Sequence, residues 1–336
     1  MVGPKVGHSN NKSKVRFYLF FLCCFRLSII NLFGYGLASR TQTLFHFEFQ
    51  TKKIYLGAMK ILVTGSNGLL GQKIVGQLVR SGITFLATST GTNRNSNCPD
   101  SCYRSMDISN DPQVKSVFQF FSPDYVIHTA AITNVDYCEE NKEECQKINV
   151  EGTKNLFESA QDSNAHMLLL STDFVFDGEK GNYIESDEPN PLSIYASSKY
   201  EAEKLLTTSD YLNWSIARTI IVYGEGENLS RSNIVLWARE ALRKGDPLKI
   251  IDDQFRSPTW ADDLAWACIQ ICKLNKKGIY HISGPESMSI FDLVIRIGRF
   301  YNLDCSSIEK TNSASLNQAA KRPPITGFNL TKAKND

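Results

Sequence analysis

From residue 59 onward the hydrophobic positions change their period at short intervals. Ile61, Leu62 and Val63 form a continuous apolar run, the pattern of a strand buried on both faces. Leu69, Leu70, Ile74, Val75, Leu78 and Val79 follow at helical spacing. ITFLAT then reads as a second strand, DPQVKSVFQFF as a helix, YVIHTAA as a strand, NKEECQKINVEGTKNLFESAQ as one long helix and HMLLLS as a strand. PLSIYASSKYEAEKLL returns to helical spacing. This alternation predicts an α/β fold built on a doubly wound parallel sheet. Ligands in such sheets gather at the carboxyl ends of the strands. That places Gly65, Ala130, Ala131, Ser171 and Thr172 along one edge.

The first 58 residues do not share the pattern. KSKVRFYLFFLCCFRLSIINLFGYGLAS carries basic residues and then an apolar run from Phe17 to Phe25, the layout of a signal peptide or anchor. Arg26 and Asn31 interrupt it, which makes a poor spanning helix. At Met59 the character changes to an immediate buried strand. Residues 1–58 are read as a leader outside the fold, with Met59 as the biological start and a targeting segment as the alternative. A cytoplasmic location and a body that stays off the membrane follow from that reading.

Charge sharpens the division. The whole chain of 336 residues has a formal net charge of +2, but residues 59–336 hold 29 basic and 34 acidic side chains. A mildly acidic body offers no electrostatic case for nucleic-acid binding. Beyond the leader the cysteines are seven, scattered, and without a C-x-x-C pair, which speaks against a zinc site or a disulfide framework and for free thiols in a reducing compartment.

The chemistry begins at TGSNGLLGQKIVGQLVRSG. Gly65, Gly68 and Gly71 have the spacing G-x-x-G-x-x-G between a buried strand and an amphipathic helix. A dinucleotide site needs this arrangement: a tight turn, close backbone approach to a pyrophosphate, and a helix N-terminus facing the charge. The second strand ends at Thr88 with no acid to take the ribose hydroxyls; Ser89, Thr90 and Arg94 follow. The missing carboxylate removes repulsion against a 2′-phosphate, so NADP(H) is expected, with NAD(H) as the alternative.

Thr172 closes the strand in LLLSTDFVFDG, and Tyr195 and Lys199 lie four apart on one helical face. G-x-x-G-x-x-G, a Ser/Thr after the fifth strand and Y-x-x-x-K, in this order, resemble the extended short-chain dehydrogenase/reductase superfamily and its Rossmann domain. The resemblance implies that Tyr195 gives a proton to the alkoxide left by hydride transfer, and that Lys199 lowers the tyrosine pKa and holds the nicotinamide ribose. It implies that Thr172 polarises the substrate oxygen. It also implies cofactor contacts from Gly65, Asn67, Gly68, Leu69, Leu70, Gly71, Asp107, Ile108, Ala130, Ala131 and Thr133.

The blocks STDFVFDG, PLSIYASSKYEAE, ARTIIVYGEGEN, DDQFRSPTWADDLA, GIYHISGPESMSIFDLV and KRPPITGFNLTKA narrow the likeness. They resemble dTDP-4-dehydrorhamnose reductases from Met59 to the end. That family reduces the C4 keto group of dTDP-6-deoxy-L-lyxo-4-hexulose, giving dTDP-L-rhamnose, with NADPH or NADH. The resemblance implies a Rossmann domain over residues 59–217 and, over 218–336, mainly a smaller substrate-binding lobe. It brings Gln254, Arg256 and Thr259 to a nucleotide-activated sugar, Arg256 either gripping the diphosphate or forming a surface ion pair. Ile221 stands where the family often has a Trp near the sugar, and relatives continue beyond Asp336. Two other activities fit the same scaffold: a non-catalytic nucleotide-binding subunit like the regulatory subunit of methionine adenosyltransferase, and a sugar-nucleotide epimerase. No metal ligand set emerges from spacing; Asp136, Glu139 and Glu140 read as a solvated helix start. A homodimer is allowed for.

Overall fold

The computed structural model describes residues 59–316 and 318–336. The leader expectation lies outside the described residues. The chain enters through β1 (Lys60–Thr64), α1 (Leu69–Ser81), β2 (Thr84–Ser89), β3 (Tyr103–Ser105) and α2 (Asp111–Phe121). It continues through β4 (Tyr125–His128), α3 (Val135–Glu140), α4 (Lys142–Gln146), α5 (Gly152–Asp162), β5 (His166–Thr172), α6 (Ile194–Thr207) and β6 (Trp214–Thr219). The later elements are β7 (Val222–Tyr223), α7 (Ile234–Lys244), β8 (Leu248–Ile251), β9 (Phe255–Arg256), β10 (Thr259–Trp260) and α8 (Ala261–Lys273). β11 (Gly278–Ile282), β12 (Met288–Ser289), α9 (Ile290–Tyr301), β13 (Ile308–Thr311) and α10 (Thr331–Asn335) complete it.

Seven strands form one sheet in the order β11-β6-β5-β4-β1-β2-β3, and every neighbouring pair is parallel. The apolar run of β1 explains why. Ile61 and Val63 pack with Ile74, Val75 and Leu78 of α1 and with Leu264 and Cys268 of α8. Leu62 points the other way, into Val114 and Phe118 of α2, Leu156 of α5 and Ala202 and Leu206 of α6. Each such side chain contributes about 1.5–3 kcal/mol when fully buried, and only a sheet covered by helices on both faces buries all of them.

The expected division at residues 217/218 runs through β6. Beyond it the chain forms the small β8–β13 pair with α7 and α9, yet α8 and β11 return to the main sheet. The apolar stripe of α8 is what brings the chain back, since it covers the same sheet face as α1. The single long helix expected over 141–161 is likewise divided, with a π-helical turn at Lys147–Glu151 between α4 and α5. Asn149 accounts for it: its side chain accepts from Ile132 N at 2.8 Å and donates to Ile132 O at 3.0 Å and Ser198 Oγ at 3.0 Å. Such bulges re-aim a side chain without ending the helix. The expected strand YVIHTAA stops at His128, because Thr129 turns its hydroxyl onto Thr64 O at 2.7 Å. Among the described residues no helix is long and apolar enough to cross a membrane, and the seven described cysteines are free.

Candidate active site

The glycine turn separates into three different requirements. Gly65 has φ +70°, and a Cβ there would lie 2.6 Å from Ala130 N. A Cβ on Gly71 would lie 2.3 Å from Gly65 O, so the helix can approach the turn only without one. Gly68 differs. Its φ is −79°, it is exposed, and a Cβ would meet only Gly65 O, at 3.3 Å. Packing alone does not call for glycine at 68, so the bare backbone there leaves room above α1. That helix begins with no side-chain cap and no acid in its first turn, so the N–H groups of Leu69 and Leu70 face an anion-favouring space. Ser66 Oγ and Ser171 Oγ, at two strand ends, are buried without a hydrogen-bond partner. These features fit a dinucleotide pyrophosphate.

The side chain of Asn67 faces the loop after β2, donating to Thr92 O at 2.9 Å and accepting from Arg94 N at 2.8 Å. Arg94 reaches Asn228 O at 3.3 Å, and Ser96 bonds Glu227. Arg94, Ser96, Glu227 and Asn228, with Asn93 and Asn95, line a cavity of about 480 Å³. Farther along the edge, Asp107 Oδ1 accepts from the N–H and the hydroxyl of Ser109, both at 2.9 Å. Ile108 is buried against Gly152, where a Cβ would come within 2.7 Å of its side chain. Ala130 and Ala131 are half-buried in the loop after β4, and Thr133 is exposed.

Thr172 ends β5 and caps the short turn Asp173–Val175, accepting from Phe174 N at 3.2 Å. The phenol of Tyr195 lies close enough for the Thr172 hydroxyl to lower its pKa. α6, which carries Tyr195 and Lys199, starts at Ser193, whose Oγ accepts from Ala196 N at 3.3 Å. The first N–H of the helix, Ile194 N, donates to Glu139 at 2.7 Å. Thr172, Tyr195 and Lys199 are thus brought together. One expectation for them is corrected. Burial pushes the Tyr195 phenol well above its ordinary range, opposed by the Thr172 hydroxyl and reinforced by Asp173. Lys199 does not acidify it on balance. Burial lowers Lys199 itself to about 8, with Glu203 and Cys145 opposing. Desolvation outweighs the mutual help that helical spacing suggested.

Arg256 is also corrected on both counts. It is buried, so it is no surface ion pair, and its donors are committed within the protein. Nη1 donates to Phe255 O at 2.8 Å and Pro324 O at 3.0 Å. Nη2 donates to Pro323 O at 2.6 Å and Gln254 Oε1 at 3.3 Å, while Nε faces Asp173 at 3.8 Å. A fork spent on four acceptors and a carboxylate has nothing left for a diphosphate, and Gln254 serves it as an acceptor. Thr259 is buried and donates to Ile220 O at 2.7 Å, locking β10 to the segment before β7. Ile221 adopts φ +34°, a left-handed conformation that costs a β-branched residue about 1–2 kcal/mol.

Of the three acids read as a solvated helix start, Glu140 is exposed as expected, and Asp136 and Glu139 are engaged instead. Asp136 pairs with Arg322 at 2.6 Å, which holds its carboxyl below the usual range, and Glu139 caps α6. Sequence reasoning also missed Asp173 and Thr326, which join Thr172 to the C-terminal segment. Asp173 Oδ2 accepts from the Thr326 hydroxyl. The signal was present in STDFVFDG, an acid directly after the hydroxyl, but its partner lies 153 residues away.

The family model of the RmlD substrate binding domain matches residues 59–336. The chain belongs to this family. A dTDP-4-dehydrorhamnose reductase from Aggregatibacter actinomycetemcomitans is 32% identical, over 81% of this chain and 91% of its own. The methionine adenosyltransferase 2 subunit beta of Danio rerio is 27% identical, over 83% and 85%. The structure of a dTDP-4-dehydrorhamnose reductase from Bacillus anthracis in complex with NADP matches with a TM-score of 0.73 at 26% identity, covering 82% of this chain and 92% of that one. Family membership agrees with the sheet order and with the sequence blocks in which Thr172, Tyr195 and Lys199 stand.

Proposed function

We propose that the protein reduces the C4 keto group of a dTDP-4-keto-6-deoxy sugar, with NADPH as the reductant and NADH as the alternative. The observation that carries this reading is the meeting of Thr172 with Tyr195 at the carboxyl end of β5, with Lys199 one helical turn below. The turn at Gly65–Gly71 would hold the pyrophosphate on the N–H groups of α1, and Lys199 would hold the nicotinamide ribose. When bound, the nicotinamide supplies the hydride. Thr172 turns its single hydroxyl proton from Asp173 Oδ1 to the keto oxygen and favours the charge that develops there. Tyr195 gives its proton to that oxygen, so the product leaves as a neutral alcohol. A phenol whose pKa burial has raised is a proton donor that stays loaded at neutral pH. Lys199 compensates the phenolate that remains until solvent returns a proton.

A panel of nucleotide-activated 4-keto sugars, followed by NADPH absorbance, tests the reading. Oxidation of NADPH dependent on one of them is expected. Tight NADPH binding with no turnover across the panel would instead favour a regulatory subunit, which the likeness to methionine adenosyltransferase 2 subunit beta makes the second reading.

A further inference from the structure

A buried ion pair stands one helical turn behind Lys199. Glu203 follows Lys199 by four residues on α6, so the two share a face. Glu203 is 1% exposed and Arg218, on β6, 2%. Arg218 Nε donates to both carboxylate oxygens, at 3.0 and 3.2 Å, and Nη2 donates to Oε2 at 2.6 Å. Nη1 lies 3.4 Å from Nε2 of His281, whose Nδ1 faces Tyr183 O at 3.0 Å. The guanidinium also sits over the ring of Phe176 at 5.0 Å. Three charged side chains are thereby taken out of water. For stability alone an apolar set of the same volume serves as well or better, so their presence beside Lys199 calls for another reason.

We propose that Glu203 and Arg218 are positioning residues for Lys199: the carboxylate keeps it an ammonium in place beside Tyr195, and the guanidinium sets how much of the carboxylate's field Lys199 receives. The proposal rests on the role given to Lys199 above. The groups around Lys199 are Tyr195 and Glu203 on its own helix, Cys145 on α4 and His128 on β4, with Arg218 and His281 on β11 behind Glu203. His128, bonded to Thr64 at 2.7 Å and Thr153 at 3.1 Å, is buried and held neutral, so it contributes no charge. Of the two groups that oppose the burial of Lys199, Glu203 is the larger. An ammonium poised at about 8 answers to small changes in that field.

The test compares Glu203→Gln, Arg218→Met and the double variant. Glu203→Gln removes the supporting charge and keeps the shape. Lys199 then loses its proton at lower pH, and the alkaline fall in NADPH affinity and in kcat/KM moves down by about one pH unit. Arg218→Met removes the neutralising partner and moves the same limb upward. The double variant removes both members of the pair together, so neither is left buried without the other, and its limb shifts down less than that of Glu203→Gln. NADPH affinity, measured by fluorescence titration across the alkaline range, needs no sugar substrate. A purely structural pair lowers the midpoint of unfolding in the single variants and leaves the limb where it is. Limbs unmoved in both single variants, or in the double variant should the singles not fold, overturn the proposal. A wild-type protein that binds NADPH but reduces no 4-keto sugar overturns the proposed reaction instead, and the affinity limbs still decide the role of the pair.

Discussion

The hydroxyl of Thr172 donates to Asp173 Oδ1 at 3.1 Å, and the other oxygen of the same carboxylate is held by Thr326 and by Arg256. One buried carboxylate therefore links the floor of the crevice to the C-terminal segment. Pro323 and Pro324 close on Arg256 through their carbonyls, and Gly327 O accepts from Tyr183 N at 2.8 Å. The rotamer of Thr172 is set by Asp173 Oδ1, to which it donates, and by Phe174 N, from which it accepts.

Asp173→Asn keeps an acceptor for Thr172 but strands the Arg256 charge in the interior. Removing one partner of a buried pair costs about 3–5 kcal/mol, so the denaturant midpoint falls sharply. Arg256→Met added to Asp173→Asn removes the stranded charge but deprives the carbonyls of Phe255, Pro323 and Pro324 of their donor, so the double variant stays destabilised yet costs less than the sum of the two single changes. A double-mutant cycle measured in urea checks the coupling. If Arg256 instead bound the diphosphate, Arg256→Met would raise KM for the sugar nucleotide and barely move the midpoint.

Tyr195→Phe leaves the helix and the ring contact with Phe174 in place, the ring centroids being 6.3 Å apart. Only the transferable proton goes. Turnover falls about 10²–10⁴-fold, while NADPH affinity stays within a few-fold. Stopped turnover with unchanged cofactor titration is the signature, and a variant retaining most of its kcat contradicts the role.

The glycines at 68 and 71 separate binding from folding. Gly71→Ala sets a methyl 2.3 Å from Gly65 O and must displace backbone, so stability drops. Gly68→Asp meets only one contact, at 3.3 Å, so the fold survives while a carboxylate occupies the anion-favouring space above α1. NADPH affinity is lost at 68 with the unfolding midpoint nearly unchanged, and thermal melts run beside fluorescence titrations distinguish the two.

The sheet and its helices were legible because burial on two faces leaves a period that local reading detects. DPQVKSVFQFF became α2 without a shift of boundary, and Asn110 caps it by accepting from Gln113 N at 3.1 Å. The placement of Gly65, Thr172, Tyr195 and Lys199 was legible because each sits at a fixed offset from a strand or helix end. What escaped is set by distance along the chain. Nothing near Arg256 announces that Pro323 and Pro324 will absorb its donors, and nothing near Asp136 announces Arg322. The sign of the Tyr195 shift escaped for a different reason. Spacing reports the lysine four residues on, but how deeply both are buried depends on packing from several elements at once.

Three buried histidines make stability depend on acid: His166, also lowered by burial, and, pushed down furthest, His128 and His281. His128 lies between Thr64 and Thr153, and His281 between Tyr183 O and Arg218 with its ring stacked on Phe328 at 4.0 Å. Burial is the first cause in each case, followed by the cation nearby, Lys199 or Arg218, and each imidazole is lowered to about 3. The unfolded chain binds protons at these positions from about pH 6.5 downward, whereas the folded chain does not. Stability is therefore full above that pH and declines as pH falls, until the folded pKa values near 3 are reached. At pH 5 the loss is about 2 kcal/mol for each of these two histidines. His128→Gln keeps hydrogen-bonding capacity toward the two threonines and has no proton to take up. Urea midpoints measured between neutrality and pH 5 should fall less steeply in this variant than in the wild type, His166 and His281 carrying what remains, and equal slopes would mean that His128 is not held neutral by the fold.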